Sequence, residues 1–376
     1  MPYPLKIAVA IPTFNRLSYL KNAVRSIEDQ VFDTEQVELY CVIANSASYD
    51  GTTEYLEFLE SGTARYILHN EVSFAKEEGN AKSGQTNWSR VVAAVPSDVE
   101  WVWFMGDDDH LICKNAISKL AQAIHQHQSS SLAVVHVAQA RRSRRSGLVL
   151  SGKLIDLCNS LGFHEMLGWM SGLIIRGDIF KCFIDVGSMH YAESAYSHSA
   201  ALLELASSDD ALFLDVDWVD TQDDQQTTES IQRWAEANVG ERYFYVVDGV
   251  LSQFERGILT KKLKPVFYRY HTYSLWDRYA CYLIERVLKS GTMTEAESQH
   301  WTRVSRIAAT IDDPVFVKMF LAWHRAVTLQ FQCVIQAQRQ LKDQMNALVE
   351  YYNQMASVCY DSEELLAAFI PQPNLP

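Results

Sequence analysis

Residues 101–111 read WVWFMGDDDHL, an apolar run that gives way through Gly106 to Asp107, Asp108 and Asp109. Three adjacent carboxylates repel one another unless a positive charge lies among them. Hard divalent ions such as Mg²⁺ or Mn²⁺ prefer carboxylate oxygen and keep waters or substrate phosphates as their remaining ligands. An ion held this way would bridge a diphosphate and offset the charge that develops as a bond to it breaks. The ligand this chemistry implies is a nucleoside diphosphate. The bland reading of the same residues is a turn, or an N-cap for the helix that follows.

Elements of a particular kind must position such a cluster. The apolar run at 5–11 is stopped by Pro12, after which Leu17, Leu20, Val24 and Ile27 recur at helical spacing. The same alternation repeats along the chain, with strands expected at 37–44, 64–69, 100–105 and 131–138. Helices are expected near 50–60 and over 84–95 and 115–127. Alternation of this kind predicts an α/β fold: a mostly parallel, Rossmann-like sheet with helices on both faces. Ligands of such sheets bind beyond the carboxyl ends of the strands. The segments 12–16, 45–52, 69–74 and 106–110 follow successive strands, and all are polar or turn-forming. Further strands are expected at 171–176 and 211–219. Helical spacing then prevails, as in Phe320, Trp323, Ala326 and Val327, so residues 1–225 read as the α/β domain and 226–376 as a mainly helical C-terminal region.

With 376 residues, 48% of them hydrophobic, the chain can fill a large core without staples. The seven cysteines are scattered and include no Cys-x-x-Cys pair, which suggests neither a disulfide framework nor a thiolate zinc site and fits a reducing cytoplasm. The apolar stretch at the N-terminus is too short for a signal core, and no window approaches the ~20 apolar residues of a membrane span. A net charge of −13 argues against nucleic acid as a partner. The basic run RRSRR at 141–145 is a local exception that could meet phosphates or an anionic membrane surface, or simply be a solvated loop.

Four segments, IAVAIPTFNRLSYLKNAVRSI (7–27), VIANSASYDGTTEYL (42–56), GNAKSGQTNWSRVVAAV (79–95) and WVWFMGDDDHLI (101–112), resemble, in order and spacing, the successive blocks of family 2 glycosyltransferases with the glycosyltransferase-A fold. GWMSGLIIRGDIF (168–180) resembles their acceptor-side segment more loosely. The resemblance implies an inverting, metal-dependent transfer of sugar from a nucleoside-diphosphate sugar to a glycan or lipid-linked glycan acceptor, with Mn²⁺ or Mg²⁺ as cofactor. It implies that Pro12, Thr13, Asn15 and Arg16 contact the nucleotide. Asn45 stands where the family offers an acid to the base, with Asp50 further along, and Asn80 and Asn87 fall in a block that touches the nucleotide or precedes the metal strand. Asp107, Asp108 and Asp109 match the Asp-x-Asp element, with the division between ribose and metal left open.

Inverting transfer also needs a base for the acceptor hydroxyl. The Glu-Asp pair that opens a helix in the family is missing here. His198 is nearest the expected place, and imidazole accepts a proton near neutral pH without large tuning. Glu193 is the second candidate. A lone His before an apolar helix also fits a cap or a packed core residue. His271 reads as structural, and His125 and His127, two apart on a helix, point to different faces. The implied setting is bacterial surface polysaccharide synthesis, cytoplasmic or peripheral at the inner membrane face, with the helical region available for homo-oligomer formation. Two other readings stay open: a sugar-nucleotide nucleotidyltransferase, disfavoured because IPTFNR is no Gly-rich triphosphate loop, and a non-catalytic nucleotide- or glycan-binding module.

Overall fold

The computed structural model describes residues 4–60, 66–70, 80–127, 129–140, 147–191, 197–222, 239–270 and 273–359. In chain order the first elements are β1 (Leu5–Thr13), α1 (Leu17–Glu28), β2 (Val37–Asn45), α2 (Thr52–Glu60), β3 (Tyr66–Asn70), α3 (Asn80–Ala94), β4 (Trp101–Phe104), β5 (Asp109–Leu111), α4 (Ala116–His127) and β6 (Leu132–Gln139). They are followed by β7 (Val149–Lys153), α5 (Leu154–Leu161), α6 (Phe163–Leu167), β8 (Leu173–Arg176), α7 (Gly177–His190), α8 (Ser197–Ala206) and β9 (Asp210–Thr221).

One sheet takes the order β3-β2-β1-β4-β8-β6-β9-β5, and β7 also pairs with β9. Strands β1 to β4 run parallel, as do β6 and β9, whereas β8 is antiparallel between β4 and β6, and β5 and β7 are antiparallel on β9. The expected mostly parallel sheet with helices on both faces is therefore present. Alternation along β1 shows how it is built. Ile7, Val9 and Ile11 face one buried cluster with Leu20, Val24 and Ile27 of α1 and Ile117 and Leu120 of α4. Ala8 and Ala10 face the other, with Val91 of α3 and Phe180 and Phe183 of α7.

The C-terminal part is helical, as the spacing predicts: α9 (Val239–Glu255), a short hairpin β10 (Arg269–Tyr270) and β11 (Tyr273–Ser274), α10 (Leu275–Ser290), α11 (Glu295–Val304), α12 (Ile307–Thr310) and α13 (Pro314–Cys359). Thr294 and Glu297 form a capping box at the start of α11: the Glu297 N–H donates to Thr294 Oγ1 at 3.2 Å and the Thr294 N–H to Glu297 Oε2 at 2.8 Å. The buried cluster on the α3 face continues without a break from Ala8 and Phe104 through Leu202 of α8 to Val250, Leu283, Trp301 and Phe331. Among the described residues no helix is long and apolar enough to cross a membrane. The basic run 141–145 lies outside the described residues.

Candidate active site

The carboxyl ends of β1 and β4 lie side by side because the two strands pair in parallel from Ile7–Trp101 to Ala10–Phe104. This brings the loop after β1 to the aspartates after β4. Thr13 Oγ1 donates to Asp107 Oδ2 at 2.7 Å. Arg16 Nη1 donates to Asp107 Oδ1 at 3.1 Å and to Asp108 Oδ2 at 2.7 Å. The positive charge that the three carboxylates call for is thus supplied in part by the chain itself. Burial works against the Arg16 charge, but Asp107 and Asp108 outweigh it and hold its pKa above the ordinary guanidinium value.

The three aspartates do not share one environment. Asp108 is half-exposed, while Asp107 and Asp109 are buried. Burial pushes the Asp107 carboxyl up to about 6, with Arg16 pulling it back and Asp108 pushing further up. Asp109 is turned the other way, onto Ser171. The Ser171 hydroxyl donates to Asp109 Oδ2 and accepts from the Gly106 N–H at 2.8 Å. Burial, then the charge of Asp108, raise the Asp109 pKa well above the carboxylate range. Among the described residues nothing hydrogen-bonds Asp109 Oδ1.

Gly106 makes this arrangement possible. A Cβ there would stand 2.8 Å from Asp108 Oδ1 and 3.0 Å from Asp109 Oδ2, so the two carboxylates converge over the space that a side chain would fill. Among the described residues no three His, Cys, Asp or Glu groups form a closed cage for a metal. What the turn offers is an open pair, Asp108 and Asp109, all oxygen and with one buried oxygen unbonded. That donor set fits a hard divalent ion that keeps substrate or water in its other positions. Both oxygens of Asp107 are bonded, to Thr13 and to Arg16.

The loops after β1 and β2 are tied to each other. Asn15 takes a left-handed conformation, φ 53°. Its N–H donates to Ser48 Oγ at 2.8 Å, and its Oδ1 accepts from the Tyr49 N–H at 2.9 Å. Asn is one of the few side chains that tolerate this backbone, because its short amide can bond locally. Asp50 caps α1 from the neighbouring loop, its Oδ2 accepting from the Leu17 N–H at 2.8 Å, while Oδ1 accepts from Thr52. Burial and these hydrogen bonds oppose each other at Asp50, and the bonds win, lowering its pKa.

Several expected site residues land elsewhere than the sequence suggests. Pro12 lies within β1, opposite Ala44, rather than in the loop. Asn45 is fully buried, and its amide is already engaged: Nδ2 donates to Thr53 Oγ1 at 3.0 Å, and Oδ1 accepts from the Ser48 hydroxyl at 2.6 Å. In this geometry both ends of the amide help to shape the loop. Asn80 opens α3, but its side chain lies outside the described residues, as do Glu193 and His271. Asn87 is buried, and its Nδ2 donates to the Thr13 carbonyl at 3.1 Å, locking α3 onto the end of β1.

His198 lies in the core. Its ring is 4% exposed and packs edge-on against Trp88, 5.4 Å between centroids, which in turn packs edge-on against Phe104. Burial lowers its pKa to about 4, so it is neutral at pH 7, within a helix whose residues 197–203 are all buried. A general base must reach the acceptor hydroxyl, and this imidazole is part of the packing. Replacing His198 with Ala should therefore lower stability by about 2–3 kcal/mol, as other large-to-small core changes do. Thermal unfolding compared with turnover below the new Tm checks this: activity per folded molecule stays near wild type.

Ser171 was not among the expected site residues. It precedes β8, and because β8 runs antiparallel to β4 with Leu173 opposite Phe104, the start of β8 meets the end of β4. Trp103 Nε1 adds a bond to the Ser171 carbonyl at 2.8 Å. Gln222 at the end of β9 is a second unexpected support. Its N–H donates to the Asp108 carbonyl at 2.8 Å, and its side chain reaches the Tyr19 carbonyl at 3.1 Å.

Comparison with known proteins points in one direction. Residues 8–181 match the family described as glycosyl transferase family 2. The chain is similar to the GalNAc(5)-diNAcBac-PP-undecaprenol beta-1,3-glucosyltransferase of Campylobacter jejuni, 29% identical over 123 residues, which is 32% of this chain and 35% of that protein. The matched part thus spans about a third of that relative's length. The crystal structure of S. aureus TarS 1–349 is similar with a TM-score of 0.52 at 15% identity, covering 89% of this chain and 92% of that one. The TarS 1–349 complex with UDP-GlcNAc is similar to the same degree, TM-score 0.52. At this identity the likeness is one of fold, and it extends through most of the helical region.

Proposed function

We propose that this chain, whose residues 8–181 match glycosyl transferase family 2, acts as a member of that family and transfers a sugar from a nucleoside-diphosphate donor to a lipid-linked glycan, with Asp108 and Asp109 holding Mn²⁺ or Mg²⁺. The observation that carries this reading is the convergence of the two carboxylates over Gly106, one of them with an unbonded buried oxygen. A divalent ion bound there supplies a counter-charge for the leaving diphosphate. The side chains do the rest. Arg16 uses Nη1 to fix Asp107 and Asp108, and a guanidinium so held keeps further N–H donors for phosphate oxygens. Thr13 and Asn87 fix the end of β1, and the Asn15–Ser48–Tyr49 knot fixes the two loops that would flank the nucleotide. Preorganised donors of this kind act where charge develops without further rearrangement.

With His198 in the core, Glu193 is the carboxylate we assign as base for the acceptor hydroxyl. Replacing Glu193 with Gln should reduce kcat by about 10²–10⁴-fold, the usual worth of a positioned base, with donor KM unchanged. A parallel rise in donor KM would remove Glu193 from that role. Residues 1–225 would carry the chemistry and 226–376 the acceptor-side and structural support. A lipid-linked acceptor would bring the protein to the cytoplasmic face of a membrane as a peripheral component of surface glycan assembly. The deciding experiment measures nucleoside-diphosphate release from a panel of UDP- and GDP-sugars, with Mn²⁺, Mg²⁺ or EDTA, with and without an undecaprenyl-diphosphate glycan. Metal-dependent release stimulated by the acceptor is the expected result. Consumption of triphosphates would favour nucleotidyl transfer, and binding of a donor without turnover in the presence of acceptor would favour a binding module.

A further inference from the structure

A surface helix ordinarily keeps its apolar stripe for the core and turns charge outward. The first half of α13 departs from this. On its inner side Phe320 and Phe331 are buried, and Phe316, Val327 and Val334 pack against the same apolar cluster. Its outer side is apolar as well. Val315, Met319, Ala322, Ala326, Leu329 and Cys333 follow at alternating spacings of four and three, so they share one face, and all six are exposed. Val315, Met319 and Leu329 are 70%, 65% and 52% exposed. The stripe they form is about 28 Å long.

The charge on this face has one sign. Lys318 and Arg325 stand three residues on from Val315 and Ala322, on the same side of the helix, and both are exposed. Among the described residues the ion pairs of this region, Arg286–Glu297, Arg303–Asp248 and Arg306–Glu255, involve neither of them. From Pro314 to Lys342 the helix holds Lys318, Arg325, Arg339 and Lys342 and no Asp or Glu. Asp312 and Asp313 precede it, and Asp313 is taken up in capping, its Oδ1 accepting from the Val315 and Phe316 N–H groups at 3.0 and 2.9 Å. The Leu263 N–H donates to the Thr310 carbonyl at 2.7 Å and its carbonyl accepts from the Asp312 N–H at 2.8 Å, which brings the exposed Lys262 and Lys264 to the same end. Over 256–342 the chain has fourteen Lys and Arg against six Asp and Glu, a net of +8 within a protein of net −13.

We propose that the outer face of residues 315–333 docks on an anionic phospholipid surface, with the apolar stripe at the acyl boundary and Lys318 and Arg325 among the phosphates. Exposed apolar side chains flanked by Lys and Arg, without acids, are what such a surface covers: the stripe leaves water and the cations meet lipid charge. A second copy of the chain fits less well, since two such faces would set Lys318 and Arg325 against their own kind with no acid on the face to answer them. The uneven charge of the molecule also orients it, turning this part toward a negative surface and the acidic remainder away. The inference rests on the reading of a lipid-linked acceptor, for which it supplies the docking face.

Flotation of the full chain with phosphatidylcholine vesicles containing from none to about 40% phosphatidylglycerol, without donor or acceptor, tests it. Binding should rise with the anionic fraction and fall with salt. The K318Q/R325Q variant should partition about 30-fold more weakly, the worth of two cations near such a surface. The M319E/L329E variant should not float. Both variants should keep the circular dichroism of the wild type and its nucleotide-sugar hydrolysis in vesicle-free solution, because all four positions are exposed. A wild type that floats at no anionic fraction, or binding that is unchanged in either variant, overturns the proposal. A wild type that does not float but forms dimers lost in M319E/L329E overturns it in favour of a second copy. Transfer is read apart from docking. Protein that floats but moves no sugar would refute the proposed chemistry alone, and protein that glycosylates an acceptor held in detergent but does not float would refute the docking face alone.

Discussion

Replacing Asp109 with Asn should lower metal-dependent sugar transfer by about 10³-fold, the equivalent of several kcal/mol of lost charge stabilisation, without lowering the stability of the metal-free protein. Asn keeps the shape and can still accept from Ser171, but it cannot offer an anionic oxygen to a cation. The stability half of the prediction follows from linkage. A carboxyl whose folded pKa is raised contributes stability that is complete below its unfolded value of about 3.9 and is lost as pH rises through the folded value. Asp109 and Asp107 both have this sign. His136 and His198, lowered to about 3 and about 4 by burial, have the opposite effect: they are neutral when folded, and their contribution is complete above about 6.5 and lost as pH falls through their folded values. The two sets oppose each other between about pH 4 and 6.5, and Asp107, at about 6, has finished titrating soon after. Alkaline of that range Asp109 stands alone among these four. In EDTA the wild type should lose Tm as the pH rises through the Asp109 pKa, and D109N should lack that loss. A D109N protein that melts lower than wild type at pH 8, or that keeps Mn²⁺-stimulated turnover, would refute the assignment.

Replacing Arg16 with Gln should have effects of opposite sign on the two ligands. One guanidinium nitrogen serves both Asp107 and Asp108. Without it the carboxylates lose their internal counter-charge, and the affinity for Mn²⁺ in the absence of nucleotide should rise. Donor binding and turnover should fall, because a fixed donor aimed at developing phosphate charge is gone. The loss of one such donor is worth about 10²–10³-fold in kcat. Mn²⁺ titration by calorimetry, beside steady-state kinetics, reads both. Lys at this position keeps the charge but not the forked geometry, so it should restore the lower metal affinity without restoring turnover. If Gln weakens metal and donor equally, Arg16 is a general structural support.

How far the sequence carries can be traced residue by residue. The parallel half of the sheet was legible because β1, β2 and β4 are buried on both faces and read as continuous apolar runs, each followed by a polar segment. That reading placed Thr13, Arg16 and the three aspartates at one edge, where they meet. It could not show that Arg16 answers the charge problem posed by the aspartates, since the two are separated by about ninety residues and joined only by the β1–β4 pairing. Ser171 was hidden for a topological reason. The residues that follow the parallel strands β1 and β4 lie at the edge that carries the aspartates, but β8 is reversed, so it is the residues before it that reach this edge. The burial of His198 was not legible, because the sequence offers the same imidazole both as the group nearest the expected place of a base and as a cap or packed core residue. Helix α8 is apolar around most of its girth and is enclosed by neighbours, and such burial has no periodic signature. Asn45 stands where the family meets the base, and the sequence does not show that its amide also bonds Ser48 and Thr53, a local engagement that Asn side chains often enter.

The unbroken apolar layer from Ala8 of the first strand to Phe331 of the last helix has its own consequence. A face shared in this way cannot be divided by cutting the chain: either portion, produced alone, would present to water the side chains that the other now covers. Chemistry and helical region must therefore be gained or lost together on heating, in a single transition, and a substitution near Trp301 would be felt at the aspartates as a change in how often the whole protein is folded.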